Sequence, residues 1–498
     1  MDLANCERVN LFHPQNEAEV NTIRGVMMQK QETMKHIECE IKQLLEKKKR
    51  IEEDLVCLRV VLAPYNHNRF PNEVLSRIFI LVAQDYGPVD FPIEKLDLPP
   101  QLAIPHVCSR WRRAALHTSE LWSNTQLTYP KYNNNLEPAI YLRHWQRWLI
   151  RAGNFPLTLS IDFYSSLSGH VDVASVLQKD LLPFQVKRLH LVITLKNFEE
   201  LSKSPENILS DLIDLDLRLI LPSRDAEANI NMLHPFISQL RSVSFHCSNF
   251  DVWLDRLSQL GLPWSQLRSL DFNHTFSQAD MHPLINILRQ IPMLQALVLS
   301  ISEFQINSLE ALMMPSLRDF TLVVNAEPEV EGGIDIDEIL LKFTCPSLAK
   351  FKLTAHNFWT IKSFEILQRQ YNMQGLHEID FNRFPLPISS ILQNAPAIRV
   401  LSIEQDAILD DAAIIGISRG TLGRFLTELD LCIACDIDEV VGMVETRMKT
   451  VNQIIGNGCS WKDEITILRD VTVCGDGGSV CQQRIDALEK VGINFTIQ

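Results

Sequence analysis

The chain has 498 residues, 46% of them hydrophobic and 22% charged, with a formal net charge of −14. That length supports a large core and more than one structural unit. The negative balance argues against nucleic acid as a main ligand, because phosphate binding needs a basic surface. No apolar run has the length that spans a bilayer, so no membrane role is expected, and no early stretch has the form of a signal peptide. The 11 cysteines show no framework of pairs. They are expected as free thiols in a reducing compartment, cytoplasmic or nuclear.

Residues 1–22 lack periodicity and are expected as a mobile tail. Over 23–63 an apolar seam sets in: Ile23, Met27, Met34, Ile37, Ile41, Leu44, Ile51, Leu55, Leu58 and Leu62, with Lys30 and Lys48 also in line. The steps alternate four and three, a heptad repeat. The spacing predicts one helix of about 57 Å at ~1.5 Å per residue, ended by Pro64. A homodimeric coiled coil through 23–62 satisfies this seam, and so does a single helix folded back on its own chain. The two lysines weaken pairing.

The segment 66–127 carries the most specific pattern in the chain. It opens with Phe70-Pro71-Asn72-Glu73-Val74-Leu75, continues through Ile78-Phe79, returns with Val107-Cys108-Ser109-Arg110-Trp111-Arg112 and closes on Leu121-Trp122. Pro71 suits the first turn of a helix and Glu73 favours its positive end. A second helix is expected to carry Val107, Trp111 and Leu116 on one side. Two short helices with such large apolar stripes cannot bury both against each other, so something else must cover them. Residues 128–154 read as a linker loop, 129–138, and a coupling helix with Trp145, Trp148 and Leu149, stopped near Gly153.

From Phe155 to the end the chain repeats. After a lead-in strand (Leu157, Leu159, Ile161), a unit of apolar-x-x-apolar-x-apolar begins at Val186, Leu212, Leu240, Leu267, Leu294, Leu317, Leu348, Leu376, Ile398, Leu426 and Leu468. The intervals are roughly 22–31 residues, except a last one of about 42 that leaves room for an extra helix. Helical stretches such as Met281–Arg289 and Phe364–Gln370 lie between units, and a helix (Gln482–Lys490) and strand (Ile493, Phe495, Ile497) cap the array. Such a unit cannot bury its apolar face alone, so stacking is the natural solution. Alternation places the third and fifth positions on the face opposite the buried fourth and sixth. Those positions hold Asp214, Asp216, Asp271, Asp319, Glu378, Asp380, Glu428, Asp430 and Asp470 against Arg188, Lys350 and Lys352. An acidic surface for a basic segment of a partner follows, with Asp216, Asp271, Glu378, Asp380, Glu428 and Asp430 as candidate contacts. Bases at the second positions, Lys187, Arg241, Arg268, Arg318, Arg399 and Arg469, compete as cross-strand partners that cancel the field.

Little in the sequence points to catalysis. Cys432-x-x-Cys435 has metal or redox spacing, but no second pair or nearby His completes a site, so buried structural thiols are expected. Gly475–Gly478 lacks the Lys-Ser/Thr of a phosphate loop and reads as a turn. The acidic insertion Glu327–Gly333 reads as a solvated loop. No catalytic residue, metal site or cofactor is expected.

The segment 66–127 resembles an F-box, and the whole chain resembles F-box-like proteins of mushroom-forming fungi: a coiled coil, an F-box, then divergent leucine-rich repeats. Phe70 stands where the family has Leu, the link Gln84–Gln101 is longer than in a minimal F-box, and the Asn that ladders many such repeats is absent. The resemblance implies an α+α/β multi-domain chain, with a long N-terminal helix, a small helical F-box and a leucine-rich-repeat solenoid with a curved parallel sheet over 155–498. It also implies a non-catalytic substrate receptor of a cullin–RING ubiquitin ligase. Phe70, Pro71, Val74, Leu75, Ile78, Phe79, Val107, Trp111 and Trp122 would dock a Skp-type adaptor, and through it a cullin, while the repeats hold a protein substrate. The rival reading is a non-catalytic repeat scaffold that organises partners without ubiquitination.

Overall fold

The structure, a computed structural model, describes residues 17–67, 70–91, 93, 98–128, 138–163, 181, 183–194, 197–198, 210–220, 239–247, 262–276, 281–301, 311–324, 336–355, 361–383, 385–433, 435–456, 465–474 and 479–497. The loop 129–137, the insertion Glu327–Gly333 and the turn Gly475–Gly478 of the sequence reading lie outside these. The chain divides into two units, Met1–Ile78 and Phe79–Gln498.

In the first unit α1 spans Glu17–His67, with Glu17 and Glu19 at its positive end. It therefore starts inside the stretch expected as a tail and continues past Pro64. A proline removes one N–H, and close to a helix end that costs one bond rather than the helix. α2 follows at Asn72–Tyr86, and the division between the units falls within it.

The second unit is built on one parallel sheet. Its strands begin with β1 (Val89–Phe91), β2 (Asn124–Thr128), β3 (Leu157–Asp162), β4 (Val186–Thr194), β5 (Asp214–Ile220), β6 (Ser242–Cys247), β7 (Ser269–Phe276) and β8 (Ala296–Ile301). It continues with β10 (Asp319–Val324), β12 (Lys350–Ala355), β13 (Glu378–Asn382), β14 (Val400–Glu404), β15 (Glu428–Cys432), β16 (Asp470–Val473) and β17 (Asn494–Ile497). These 15 strands lie side by side in chain order, every pairing parallel; the short β9 (Leu312–Met313) and β11 (Phe343–Thr344) form a separate pair. The sheet stays open: β1 and β17 are its edges. Both are short, which limits the unpaired backbone each exposes.

Among the described residues, helices lie in several of the crossovers that parallel pairing requires. They are α3 (Pro100–Val107), α4 (Ser109–His117), α5 (Pro138–Ala152), α6 (Met281–Arg289), α7 (Ile336–Lys342), α8 (Ile361–Gln370), α9 (Ile388–Asn394), α10 (Asp411–Arg419), α11 (Ile437–Gly456) and α12 (Ser479–Lys490). α11 occupies the long interval before the last repeat.

All eleven repeat strands are present, and each runs through the third position of its unit. The fourth positions Leu270, Leu297, Phe320 and Phe351 pair in register and are buried, while Ser269, Ala296, Asp319 and Lys350 beside them are not. Aromatic side chains interlock along the covered face: Phe320, Phe351 and Phe381 follow one another with ring centres 5.7 Å apart. Such pairs add about 0.5–1.5 kcal/mol beyond their burial.

The segment expected as a separate helical domain starts this sheet instead. Thr125 and Leu127 of β2 are buried, and Thr125 Oγ1 donates to the Val89 carbonyl at 3.1 Å. Trp122 ends a 3₁₀ turn, Ser119–Trp122, and donates its indole N–H to Ala115 O at 2.9 Å. Its ring meets Trp148 of α5 edge-on at 4.8 Å, and the Arg151 guanidinium lies 4.7 Å from its centre. Burial pulls that guanidinium below its ordinary range. Gly153 closes α5 at φ +56, a conformation that favours glycine.

Near the other end, Arg447 of α11 is buried with a charged side chain. Its guanidinium donates to the carbonyls of Thr466, Ile417 and Gly423 at 2.9 Å, Arg424 at 3.0 Å and Leu426 at 3.3 Å. Burial brings its pKa down to about 10. One side chain thus fastens α11 to α10, to the turn before β15 and to the entry of β16. Arg447→Met should lower stability in denaturant unfolding by about 3–5 kcal/mol, since it leaves buried carbonyls unpaired. The exposed neighbour Arg419→Met should change it by less than about 0.5 kcal/mol.

Candidate docking surfaces

Two surfaces have the character of docking sites. The first is on α2. Leu75, Phe79, Ile80 and Ala83 are buried, whereas Val74, Ile78, Leu81 and Val82 stand 40–47% exposed. The exposed four recur at helical spacing and form an apolar stripe along the helix. Phe70 and Pro71 just before it are exposed too.

The expected adaptor-facing residues therefore divide. Phe70, Pro71, Val74, Ile78 and Val107 are exposed and Trp111 is half-buried. Leu75, Phe79 and Trp122 are core residues, at 2%, 1% and 0% exposure, and present no surface. Phe79 packs on Trp111 with ring centres 5.1 Å apart. The single helix expected from Val107 to Leu116 is broken: α3 ends at Val107, and Cys108 turns to extended backbone and caps α4, accepting from Trp111 N–H through Sγ at 3.4 Å. Leu81 and Val82 join the exposed stripe. Which side of the helix is covered is a tertiary matter.

The second surface is the uncovered face of the sheet. The acids expected there are present, and three of the nine meet a lysine or arginine on a neighbouring strand. Arg188 Nε lies 2.9 Å from Asp214, Lys350 Nζ 2.5 Å from Glu378 and Lys352 Nζ 2.5 Å from Asp380. Parallel registry puts these pairs directly opposite each other. The hydrogen bonds that both lysines donate to Glu378 and Asp380 hold them above their ordinary range. Asp271, Asp319 and Asp430 form no such ion pair among the described residues, and burial pushes each carboxyl up, against the pull of Lys350 opposite Asp319 and of His246 near Asp271. Glu428 stays exposed. The bases that cancel the field share the acids' own face. Among the described residues, none of the second-position bases pairs with these acids.

Histidines complete the arrangement, and a count of full charges overlooked them. His190 Nδ1 lies 2.6 Å from Asp216 Oδ2, and His246 Nε2 lies 3.1 Å from Asp216 Oδ1. Aligning the units shows the first pair, since His190 and Asp216 are both fifth positions. Ser244 Oγ is 3.2 Å from that same Nε2 of His246. A nucleophile relay needs acid and hydroxyl on opposite ring nitrogens, so this is a structural network. It borders an open cleft of about 400 Å³, lined among others by Thr158, Ser160, Arg188, His190, Asp216 and Ser244.

Cys432 and Cys474, seventh positions on adjacent strands, form a disulfide, while Cys435 is a free thiol. This corrects the expectation of unpaired thiols at 432. The two sulfurs are far apart in sequence and meet only through registry. Among the described residues no group of His, Cys, Asp or Glu is placed to hold a metal ion, and no helix is long and apolar enough to cross a membrane.

The hydrogen bond to Asp216 raises the His190 pKa above its ordinary value, with burial opposing. A raised histidine stabilises the fold fully below its unfolded pKa, and that gain is lost as pH rises through the folded pKa. Thermal melts of the parent and His190→Gln should therefore differ more at about pH 5.5 than at about pH 8.5.

Compared with known proteins, the chain matches no family model and no curated protein.

Proposed function

We propose that the chain is a non-catalytic substrate receptor of a cullin–RING ubiquitin ligase, an F-box protein with divergent leucine-rich repeats. A Skp-type adaptor docks on α2 and a protein substrate on the uncovered sheet face. The observation that carries the reading is the α2 stripe of Val74, Ile78, Leu81 and Val82. It lies within the segment whose residue order resembles an F-box, and a partner would desolvate it. The repeat array supports the second half of the reading: a long face of paired charges, hydroxyls and a cleft suits protein recognition more than chemistry. The receptor would then act by proximity, holding a lysine of the substrate near a thioester carried by another protein.

The test is co-purification of adaptor and cullin with the tagged chain. Val74→Glu with Ile78→Glu should cut adaptor recovery by about tenfold or more. Both positions are exposed, so thermal stability should stay at the parent value. Undiminished recovery in this variant removes the adaptor assignment, and a parent chain that brings down neither protein leaves the scaffold reading.

A second copy of the chain is the proposed partner of α1. Nine apolar seam residues from Ile23 to Leu58 stand 46–66% exposed. In the heptad that they define, Lys47 and Asp54 take g positions and Glu52 and Arg59 the e positions five residues on. A parallel, in-register pair thus brings Lys47 to Glu52 and Asp54 to Arg59 of the second copy, with no like-charge contact at these sites. Lys48 at an a position sets register at a cost in stability. Light scattering should give twice the monomer mass, and Ile37→Lys with Ile41→Lys should restore the monomer. A monomeric parent at micromolar concentration ends this assignment.

A further inference from the structure

The bases at the second positions have a different fate from those on the sheet face. Lys187, Arg241, Arg268, Arg318, Arg399 and Arg469 are all exposed; Lys187 is the second residue of β4, and the five arginines directly precede their strands. Among the described residues none of them meets a carboxylate in an ion pair. Arg241 and Arg268 are immediate neighbours: the Arg268 N–H donates to the Arg241 carbonyl at 2.7 Å. Adjacent strands lie about 4.8 Å apart, so two guanidiniums start side by side. Like charges in that position repel, and an anion between them relieves the repulsion.

A cleft opens at this pair. It holds about 390 Å³ and is lined by Gln239, Arg241, Ser265, Gln266, Arg268 and Met293. Every polar side chain in that lining carries N–H or O–H donors, and among the described residues no carboxylate lines it. This separates it from the cleft on the sheet face, where Asp214 and Asp216 stand in the wall.

We propose that this cleft binds a phosphate monoester. Two arginine forks match the several oxygens of a phosphate in bidentate fashion, and the two positive charges match the ≈ −1.5 to −2 of a monoester near neutral pH. The Gln239 carboxamide and the Ser265 hydroxyl add donors, while Gln266 donates through Nε2 to the Leu240 carbonyl at 3.2 Å and shapes the wall. The volume exceeds that of a phosphate group alone, leaving room beside Met293 for the carbon it is esterified to. A carboxylate or a phosphodiester carries one negative charge and leaves one arginine unanswered. A long nucleic acid would also face the repulsion of a chain with net charge −14. The site is at the entry edge of β6 and β7, so it stands whether or not α2 carries an adaptor.

The test is calorimetric titration of the full chain with O-phosphoserine and, separately, with inorganic phosphate at matched ionic strength. Phosphoserine should bind saturably, and Arg241→Gln with Arg268→Gln should weaken it about tenfold or more. Arg399→Gln with Arg469→Gln, on the same edge but away from the cleft, should leave the affinity unchanged. If the glutamine pair does not fold, Arg241→Lys with Arg268→Lys decides the matter: it keeps the charge and loses the forks, and must also bind more weakly. Equal phosphoserine affinity in the cleft variants overturns the proposal. So does binding of inorganic phosphate without binding of phosphoserine, which marks a free-ion site.

Discussion

Each strand–helix unit of this chain leaves an apolar face that only the next unit can cover. The buried positions Leu270, Leu297, Phe320 and Phe351 belong to successive strands, and each is shielded by the one before and the one after. Cohesion is therefore distributed between neighbours along the array. The constraint sets the register as well: a slip of one residue would turn every leucine outward and bury the charges beside it. It also explains why the first strands of the sheet come from a segment whose sequence reads as helical. An array of this kind needs a cover at its start, and Thr125, Leu127 and the Trp122–Trp148 contact supply it.

The same alternation creates the polar face. Because the third and fifth positions of all units line up, charges widely separated in sequence become neighbours at hydrogen-bond distance. Arg188 meets Asp214, and Lys350 meets Glu378, through registry alone. The pairs are mostly solvated and add little stability, but they offset three of the nine acids on this face. What remains is mixed polarity with a histidine–aspartate network at one place. The second positions escape this pairing: among the described residues, none of them meets a carboxylate in an ion pair. A single row of residues thus separates a face of acids, partly paired, from a basic edge.

The ends and insertions of the array are held by specific contacts rather than by repetition. The long α11 interrupts the repeat, and Arg447 compensates by reaching five carbonyls with one buried guanidinium. Arg484 of α12 ties back to α11 through Glu445 at 2.9 Å and Asp438 at 3.0 Å. These are the places where the unit-to-unit rule cannot operate, and there the chain uses charge-assisted hydrogen bonds to carbonyls and carboxylates.

Much of the fold was legible in the residues themselves. The apolar-x-x-apolar-x-apolar units located all eleven repeat strands, their buried positions and their mutual register, because the two-residue period of a strand is a local property. The heptad located α1, and Trp145, Trp148 and Gly153 located α5. Other features depended on distance in space. The sequence could not show that Leu75, Phe79 and Trp122 are core while Leu81 and Val82 are surface, since a helix with apolar residues on two sides does not say which side is covered. It could not show that β1 and β2 extend the sheet, or that Cys432 meets Cys474. Arg447 gave no local signal at all, because its partners are carbonyls, which every residue carries. Composition and periodicity determined which side chains share a face. Only the packed chain decided which faces stay open and which charges find each other, because both are settled by contacts between residues far apart along it.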